Sequence, residues 1–588
     1  MKKLIVKNAA KILRKASISL GLMAVALTVN AQNHVDESEA IIRYDSIHHP
    51  VIGTKGMVSS QRKLASQIGA EILSRGGNAV DAAVATGIAL AVILPRAGNL
   101  GGGGFMLVHI AEHNKTVAID YREVAPKAAH RDMFLDVRGN VDSKLARFSH
   151  QSSGVPGTVA GLSHALEKYG TMSWASIVEP SIRLAQDGIV VSYDLAENLK
   201  SRHKWLTAND ATAKAYYKAN KVPYKAGEIL VQPDLANTLK LLAKEGPKAF
   251  YQGAIARKIA KEMKKNGGLI TLEDMASYEV AEREVVRTNY RGFDVASMPP
   301  SSSGGIHVVQ MLNILEQYPV AEMGAGSAKN VHLLSEVMKL AYADRSEYLG
   351  DSDHFDVPIK GLTSKSYAKE LASNISMKRA RASKTIKPGS PPRFESPDTT
   401  HFSVMDKFGN AVSNTYTLNF SYGSGIVIPG TGILMNNEMD DFSSKPGVPN
   451  GFGLIGGEAN SIQPTKRPLS SMTPTMIFKD GKPFVVIGSP GGSRIITTVL
   501  QVLINVMDHK MNIADAIHAP RVHHQWLPDR LELEPGFSPD TIEILTLLGQ
   551  NVEHAKSMGS VQSVMYKDGY FFGASDPRRP DAGTVAVQ

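Results

Sequence analysis

No cysteine occurs anywhere in the chain. That absence excludes disulfides, thiol nucleophiles and thiolate metal sites. Sequence signatures of common catalytic machinery are missing too: there is no H-E-x-x-H, no G-x-x-x-x-G-K-[ST] and no G-x-S-x-G. His48-His49 and His523-His524 are adjacent pairs. Sequence neighbours point in different directions, so they read as surface or packing histidines and not as shared metal ligands. A membrane-spanning run is lacking at the N-terminus. Ala16 to Val29 is mostly apolar but short of the about 20 residues a bilayer span needs.

That apolar run reads as part of a secretory signal. Lys2, Lys3, Lys7, Lys11, Arg14 and Lys15 precede or open it, and Val29-Asn30-Ala31 has a small-residue cleavage pattern. The expected mature chain starts at residue 32, with no stable membrane anchor. The formal charge of +9 for 588 residues falls to about +3 once these basic residues leave. The high isoelectric point is then no argument for nucleic-acid binding. A disulfide-free exported protein of this size fits a bacterial periplasm or the cell exterior, where a large core stabilises the fold unaided.

Residues 32–55 are polar and read as a lead-in. Gln61–Arg75 shows helical spacing with a G-G-N-A stop, and Asp81–Leu94 reads as a buried helix. G-N-L-G-G-G-G-F (98–105) lacks dinucleotide-binding spacing and reads as close backbone packing before a strand. V-A-I-D-Y (117–121) is a second strand, ending at Arg122-Glu123. Helical periodicity marks Leu235–Lys244, Ala254–Lys265 and Val331–Tyr342. Residues 376–398 have the composition of a flexible linker. Beyond Thr399 the alternation H-F-S-V-M, the turn D-K-F-G-N and the alternation A-V-S-N-T-Y-T-L-N predict a β-hairpin.

Two features carry chemistry. S-P-G-G-S-R (489–494) joins a strand to a helix. Its backbone N–H groups would be free at the positive helix end to hold a phosphate, a carboxylate or an oxyanion, or it is an ordinary tight turn. Thr399 has no obvious His/Asp pair beside it. A threonine at a chain start carries its own base, because its α-amine has a pKa of about 8. Cleavage before Thr399 would create that start; otherwise Thr399 simply opens a strand.

Taken together, T-T-H-F-S-V-M-D-K-F-G-N-A-V, T-Y-T-L-N, N-N-E-M-D-D-F-S, K-R-P-L-S-S-M-T-P-T and G-S-P-G-G-S-R-I-I-T-T-V-L-Q resemble γ-glutamyltransferases, members of the N-terminal nucleophile hydrolases. The resemblance extends upstream through G-G-N-A-V-D-A-A-V-A, G-G-G-G-F, D-Y-R-E-V-A-P, G-V-P-G-T-V-A-G, P-P-S-S-S-G-G and A-Y-A-D-R-S, and on to S-D-P-R. It implies an α+β fold, the four-layer αββα sandwich. It implies self-cleavage between Asp398 and Thr399, giving a large subunit of residues 32–398 and a small catalytic one of 399–588 that stay associated.

The resemblance also implies roles. Thr399 would be nucleophile and, through its amine, base. Thr417 would orient it, and Gly491 and Gly492 would form the oxyanion hole. Arg122, Ser470 and Ser471 would hold the donor carboxylate; Asn419, Glu438 and Asp441 would hold its ammonium. Asp440 keeps a structural reading, as does Thr400. Phe452 falls in a lid, where relatives often carry tyrosine, and many bacterial relatives carry Gln where Glu438 stands. Implied substrates are glutathione, glutamine and other γ-glutamyl donors, with water, amino acids or peptides as acceptors. No cofactor and no metal are implied. Two other readings stay open: a relative acting on another acyl group, such as a glutaryl-type cephalosporin acylase, and an exported binding protein with a degenerate, uncleaved site.

Overall fold

Two seven-stranded sheets lie at the centre of the chain's computed structural model, which describes residues 46–391 and 401–588. The expected signal peptide and the Asp398–Thr399 bond lie outside the described residues. Residues Ile47–Gln588 form one compact unit.

The first sheet runs, in spatial order, Gly583–Val587, Gly56–Ser60, Phe402–Asp406, Ala411–Thr417, Gly103–Ile110, Lys115–Tyr121 and Ala281–Arg283. The predicted hairpin is Phe402–Asp406 with Ala411–Thr417, antiparallel, with Phe402 opposite Asn414. It sits in the middle of the sheet, between Gly56–Ser60 and Gly103–Ile110. The second sheet runs Val51–Gly53, Tyr570–Ser575, Gln562–Lys567, Lys482–Gly488, Thr475–Lys479, Phe293–Ser297 and Val286–Tyr290.

The inner faces of the sheets meet through hydrogen bonds as well as apolar packing. Ser403 Oγ donates to Val486 O (3.1 Å) or Gln562 O (3.0 Å), and Ser413 Oγ donates to Ile487 O at 3.2 Å. Buried hydroxyls without such partners would destabilise the stack, so these bonds fix its register.

Helices cover both outer faces. Lys63–Ser74, Ala79–Ile93 and Thr158–Tyr169 pack on the first sheet; Gly304–Leu315 and Arg494–Met507 pack on the second. The chain is thus an αββα sandwich. Ala79–Ile93 is buried along its whole length and starts from a capping box between Asn78 and Asp81. A helix apolar all round is a core helix, as its composition predicts.

The glycine run before Gly103–Ile110 is a close-packing device. A Cβ added at Gly102 would lie 1.9 Å from Thr417 O, so only glycine lets the chain pass beneath that carbonyl.

Two local expectations differ from the structure. Val51–Gly53, expected as lead-in, pairs antiparallel with Tyr570–Ser575 and closes one edge of the second sheet. Residues 376–391, expected as flexible linker, are anchored by side chains reaching their backbone. Lys339 Nζ donates to Arg381 O (2.9 Å), Trp526 Nε1 donates to Ser383 O (2.9 Å), and Asp344 Oδ1 accepts from Gly389 N (2.7 Å). Composition signals the lack of regular structure but not this fastening.

Candidate active site

A cavity of about 280 Å³ opens where the hairpin strand Ala411–Thr417, the glycine turn and the 436–443 segment converge. Thr417, Asn419, Glu438, Asp441, Phe452, Ser470, Ser471, Gly491 and Gly492 all line it. Nine expected site residues from five stretches of sequence thus share one wall. The tenth described one, Arg122, stands directly behind; Thr399 and Asp398 lie outside the described residues.

Thr417 ends its strand. Its Oγ1 accepts from Asn419 N at 2.8 Å, and its carbonyl accepts from Asn99 Nδ2 at 2.9 Å. Asn419 takes a left-handed backbone (φ 76°) and donates through Nδ2 to Asn437 O at 2.9 Å. Its Oδ1 is buried and accepts no hydrogen bond from a described residue. That leaves an acceptor at the cavity wall for a donor group on a ligand.

The glycine turn connects strand Lys482–Gly488 to helix Arg494–Met507. Gly491 and Gly492 have φ of 144° and 59°, where side chains are strained. Among the described residues nothing takes up the hydrogen bond of either N–H. Both therefore sit near a helix start with donors to offer. Phe452 covers this turn: a Cβ on Gly492 would fall 2.7 Å from the Phe452 ring. The same ring stacks on Phe420 at 4.6 Å between centroids, and Arg147 lies over Phe420.

His401 opens the second described stretch, two residues after Thr399 in sequence. It is buried, packs against Gly488 and contacts Ser403, Ser413 and Thr415. Burial pushes its pKa down to about 3. Such an imidazole is too weak a base to activate a hydroxyl near neutral pH.

Charge gathers around Arg122. Arg122 Nη1 is 2.9 Å from Glu438 Oε2 and 3.6 Å from Glu123 Oε2; its Nη2 donates to Asp441 Oδ2 at 2.7 Å, and its Nε to Pro468 O at 3.2 Å. Three buried carboxylates thus share one guanidinium. Burial pushes Glu123 up to about 8 and raises Glu438 far above the carboxylate range; Arg122 opposes both shifts, and like charge adds to them. Asp441 is also raised by burial, against the pull of Arg122 and then Arg345. The cluster has room for a further positive charge, which a ligand ammonium would supply. Asp440, read as structural, pairs instead with Arg147 Nε at 3.0 Å, and burial lifts it to about 6.

Ser470 and Ser471 precede strand Thr475–Lys479 and are held against the 301–303 loop. Ser303 Oγ donates to Ser470 O at 2.8 Å. Arg345, on helix Ala328–Tyr348, donates from Nε to Ser303 Oγ (3.0 Å) and from Nη2 to Ser471 Oγ (3.2 Å). Arg345 lines the cavity with Gln61, Arg96 and Arg579. Sequence reasoning assigned none of these four a role. The motif A-Y-A-D-R-S pointed at the segment of Arg345, but helical spacing alone does not say which side chain reaches a cavity.

The described chain has close counterparts. The family described as Gamma-glutamyltranspeptidase matches residues 65–586. The "Glutathione hydrolase proenzyme" of Escherichia coli (strain K12) is 55% identical and aligns over 91% of this chain and 93% of its own length. Among solved structures, cephalosporin acylase from Bacillus halodurans superposes with a TM-score of 0.83 at 27% identity, over 93% of this chain and 98% of that one. Helicobacter pylori gamma-glutamyltranspeptidase does so with a TM-score of 0.56 at 44% identity, over 59% of this chain and 97% of that one.

Proposed function

The chain belongs to the gamma-glutamyltranspeptidase family, and we propose that it is a self-cleaving enzyme that moves the γ-glutamyl group of glutathione, glutamine and related donors to water or to an amino acid or peptide. The observation that carries this reading is the shared cavity. Two backbone N–H groups unpartnered among the described residues, a carboxylate-rich cluster and a serine pair all border it. That combination of groups suits an acyl group ending in both an ammonium and a carboxylate.

In this reading the bond between Asp398 and Thr399 breaks, giving large (32–398) and small (399–588) subunits. The freed α-amine of Thr399 takes the proton from its own Oγ as that oxygen attacks the donor γ-carbonyl. The buried, weakly basic His401 leaves this task to the amine. Gly491 and Gly492 N–H groups stabilise the oxyanion. The amine then hands its proton to the departing nitrogen, leaving a γ-glutamyl ester on Thr399. Water or an incoming amine attacks the ester, and Thr399 Oγ regains a proton as the product leaves.

Thr417 orients the nucleophile. Arg122, Ser470 and Ser471 serve the carboxylate, and Asn419, Glu438 and Asp441 the ammonium. Phe452 keeps water from the oxyanion end. The N-terminal pattern supports export to a periplasm or exterior; among the described residues no helix is long and apolar enough to cross a membrane.

A glutaryl-type acylase has the weaker claim. A glutaryl group has no ammonium and would leave the Arg122 cluster with its surplus of carboxylate uncompensated. The test is Thr399→Ala. The expected result is an uncut chain that releases no amine from a γ-glutamyl anilide. Substantial residual release would overturn the assignment of the nucleophile.

A further inference from the structure

The hydroxyl of Ser471 can turn its proton toward the cavity or away from it, and something must decide which. A serine oxygen offers one proton and two lone pairs, whereas arginine offers five N–H donors and no acceptor. Arg345 therefore imposes a direction on whatever it touches. Its Nη2 donates to Ser471 Oγ (3.2 Å), which fills a lone pair and leaves the hydroxyl proton to be given elsewhere. No described acceptor takes that proton, and Ser471 lines the cavity.

The second arm works the same way. Arg345 Nε donates to Ser303 Oγ (3.0 Å), whose own proton goes to Ser470 O (2.8 Å). A donor chain thus runs from one guanidinium through Ser303 to the backbone of Ser470, while the other arm presets Ser471. The side chains of Arg345, Ser303 and Ser471 are all buried, so water competes weakly for these bonds. The arrangement needs two N–H groups in a rigid fork, which lysine lacks.

We propose that Arg345 is a positioning residue for donor specificity: it fixes the Ser470–Ser471 pair and turns the Ser471 hydroxyl into an obligate hydrogen-bond donor toward an anionic group of the acyl donor. The inference rests on the γ-glutamyl reading of the cavity and adds to it the residue that sets the polarity of the serine pair. It predicts losses that follow the donor's carboxylate far more than its ammonium, on which Arg345 acts only through its attraction for Asp441.

The experiment compares three anilides on the cleaved enzyme: γ-glutamyl, 4-aminobutyryl (ammonium kept, carboxylate gone) and glutaryl (carboxylate kept, ammonium gone). The variants are Arg345→Met, Arg345→Lys and Ser303→Ala, each first checked for self-cleavage into two fragments. In Arg345→Met, KM for the γ-glutamyl anilide is expected to rise about 10- to 100-fold, with kcat within about threefold. Its kcat/KM for the 4-aminobutyryl anilide is expected to stay within about threefold of the parent. Arg345→Lys should recover only part of the loss, and Ser303→Ala should show the same substrate pattern more weakly.

Equal losses on the γ-glutamyl and 4-aminobutyryl anilides would overturn the proposal, because a merely structural role lowers both. So would an unchanged KM. If Arg345→Met fails to cleave itself, Arg345→Lys and Ser303→Ala carry the comparison by the same criteria. Failure of the underlying reading looks different: the parent enzyme would then release nothing from the γ-glutamyl anilide, or would prefer the glutaryl one.

Discussion

At the scale of single residues, the most telling feature is the mismatch of charge around Arg122. Glu123, Glu438 and Asp441 crowd one guanidinium, and burial raises all three carboxyl pKa values. A carboxyl raised in the folded state keeps a proton that the unfolded chain gives up. Its stabilisation is complete below the unfolded value near 4.5 and is lost as pH rises through the folded value, about 8 for Glu123. Scanned without a donor at a fixed heating rate, the protein should therefore show a Tm that falls between pH 5 and pH 8. Glu438→Gln removes one of the like charges, so its Tm should fall less over the same interval. A variant whose Tm tracks the parent at every pH would show that these carboxylates do not share a proton. Glu438 and Asp441, which border the cavity, could be singled out through family resemblance because each sits in a run of specific residues. Arg345 could not: it belongs to a long helix, and its importance arises only where that helix meets the 301–303 loop and the serine pair.

At the scale of elements, legibility followed the strength of local patterning. Ala254–Lys265 was read with the bounds the structure has, and Lys63–Ser74 to within two residues, because their apolar positions recur at helical spacing. The strand Val51–Gly53 was missed: two of its three residues are exposed at the sheet edge, so there is no burial pattern to read. The three-stranded sheet of Val522–His523, Leu531–Leu533 and Val552–His554 was also missed, since its strands are too short to alternate visibly. Resemblance points to the segment of Phe452 as an expected lid, but where its ring packs was not foreseeable. Phe452 rests on Gly492 and stacks on Phe420, so one ring both covers the glycine turn and ties its own segment to the turn that follows strand Ala411–Thr417. Stacked aromatic pairs contribute about 0.5–1.5 kcal/mol beyond their buried area. Phe452→Ala is accordingly expected to raise KM for a γ-glutamyl anilide about 3- to 10-fold, leaving the yield of self-cleavage unchanged. A KM equal to that of the parent would remove Phe452 from the lid's function.

At the scale of the whole molecule, the expected cleavage point has an unusual relation to the fold. Strands Phe402–Asp406 and Ala411–Thr417 come after it in sequence, yet they lie between Gly56–Ser60 and Gly103–Ile110, which come before it. The second sheet is mixed in the same way: Thr475–Lys479 pairs with Phe293–Ser297, and Val51–Gly53 with Tyr570–Ser575. Interleaving of this kind is invisible in sequence, where residues 1–398 and 399–588 look separable. Physically it means that a cut before Thr399 leaves two chains within one pair of sheets, each completing the other's hydrogen bonding. The measurement that tests the account most directly is N-terminal sequencing of the smaller fragment, taken from active protein that elutes as one species in native buffer. The account predicts two chains separable only on denaturation, the smaller beginning T-T-H-F-S-V. A fully active, uncut chain, or a small fragment with any other start, would contradict it.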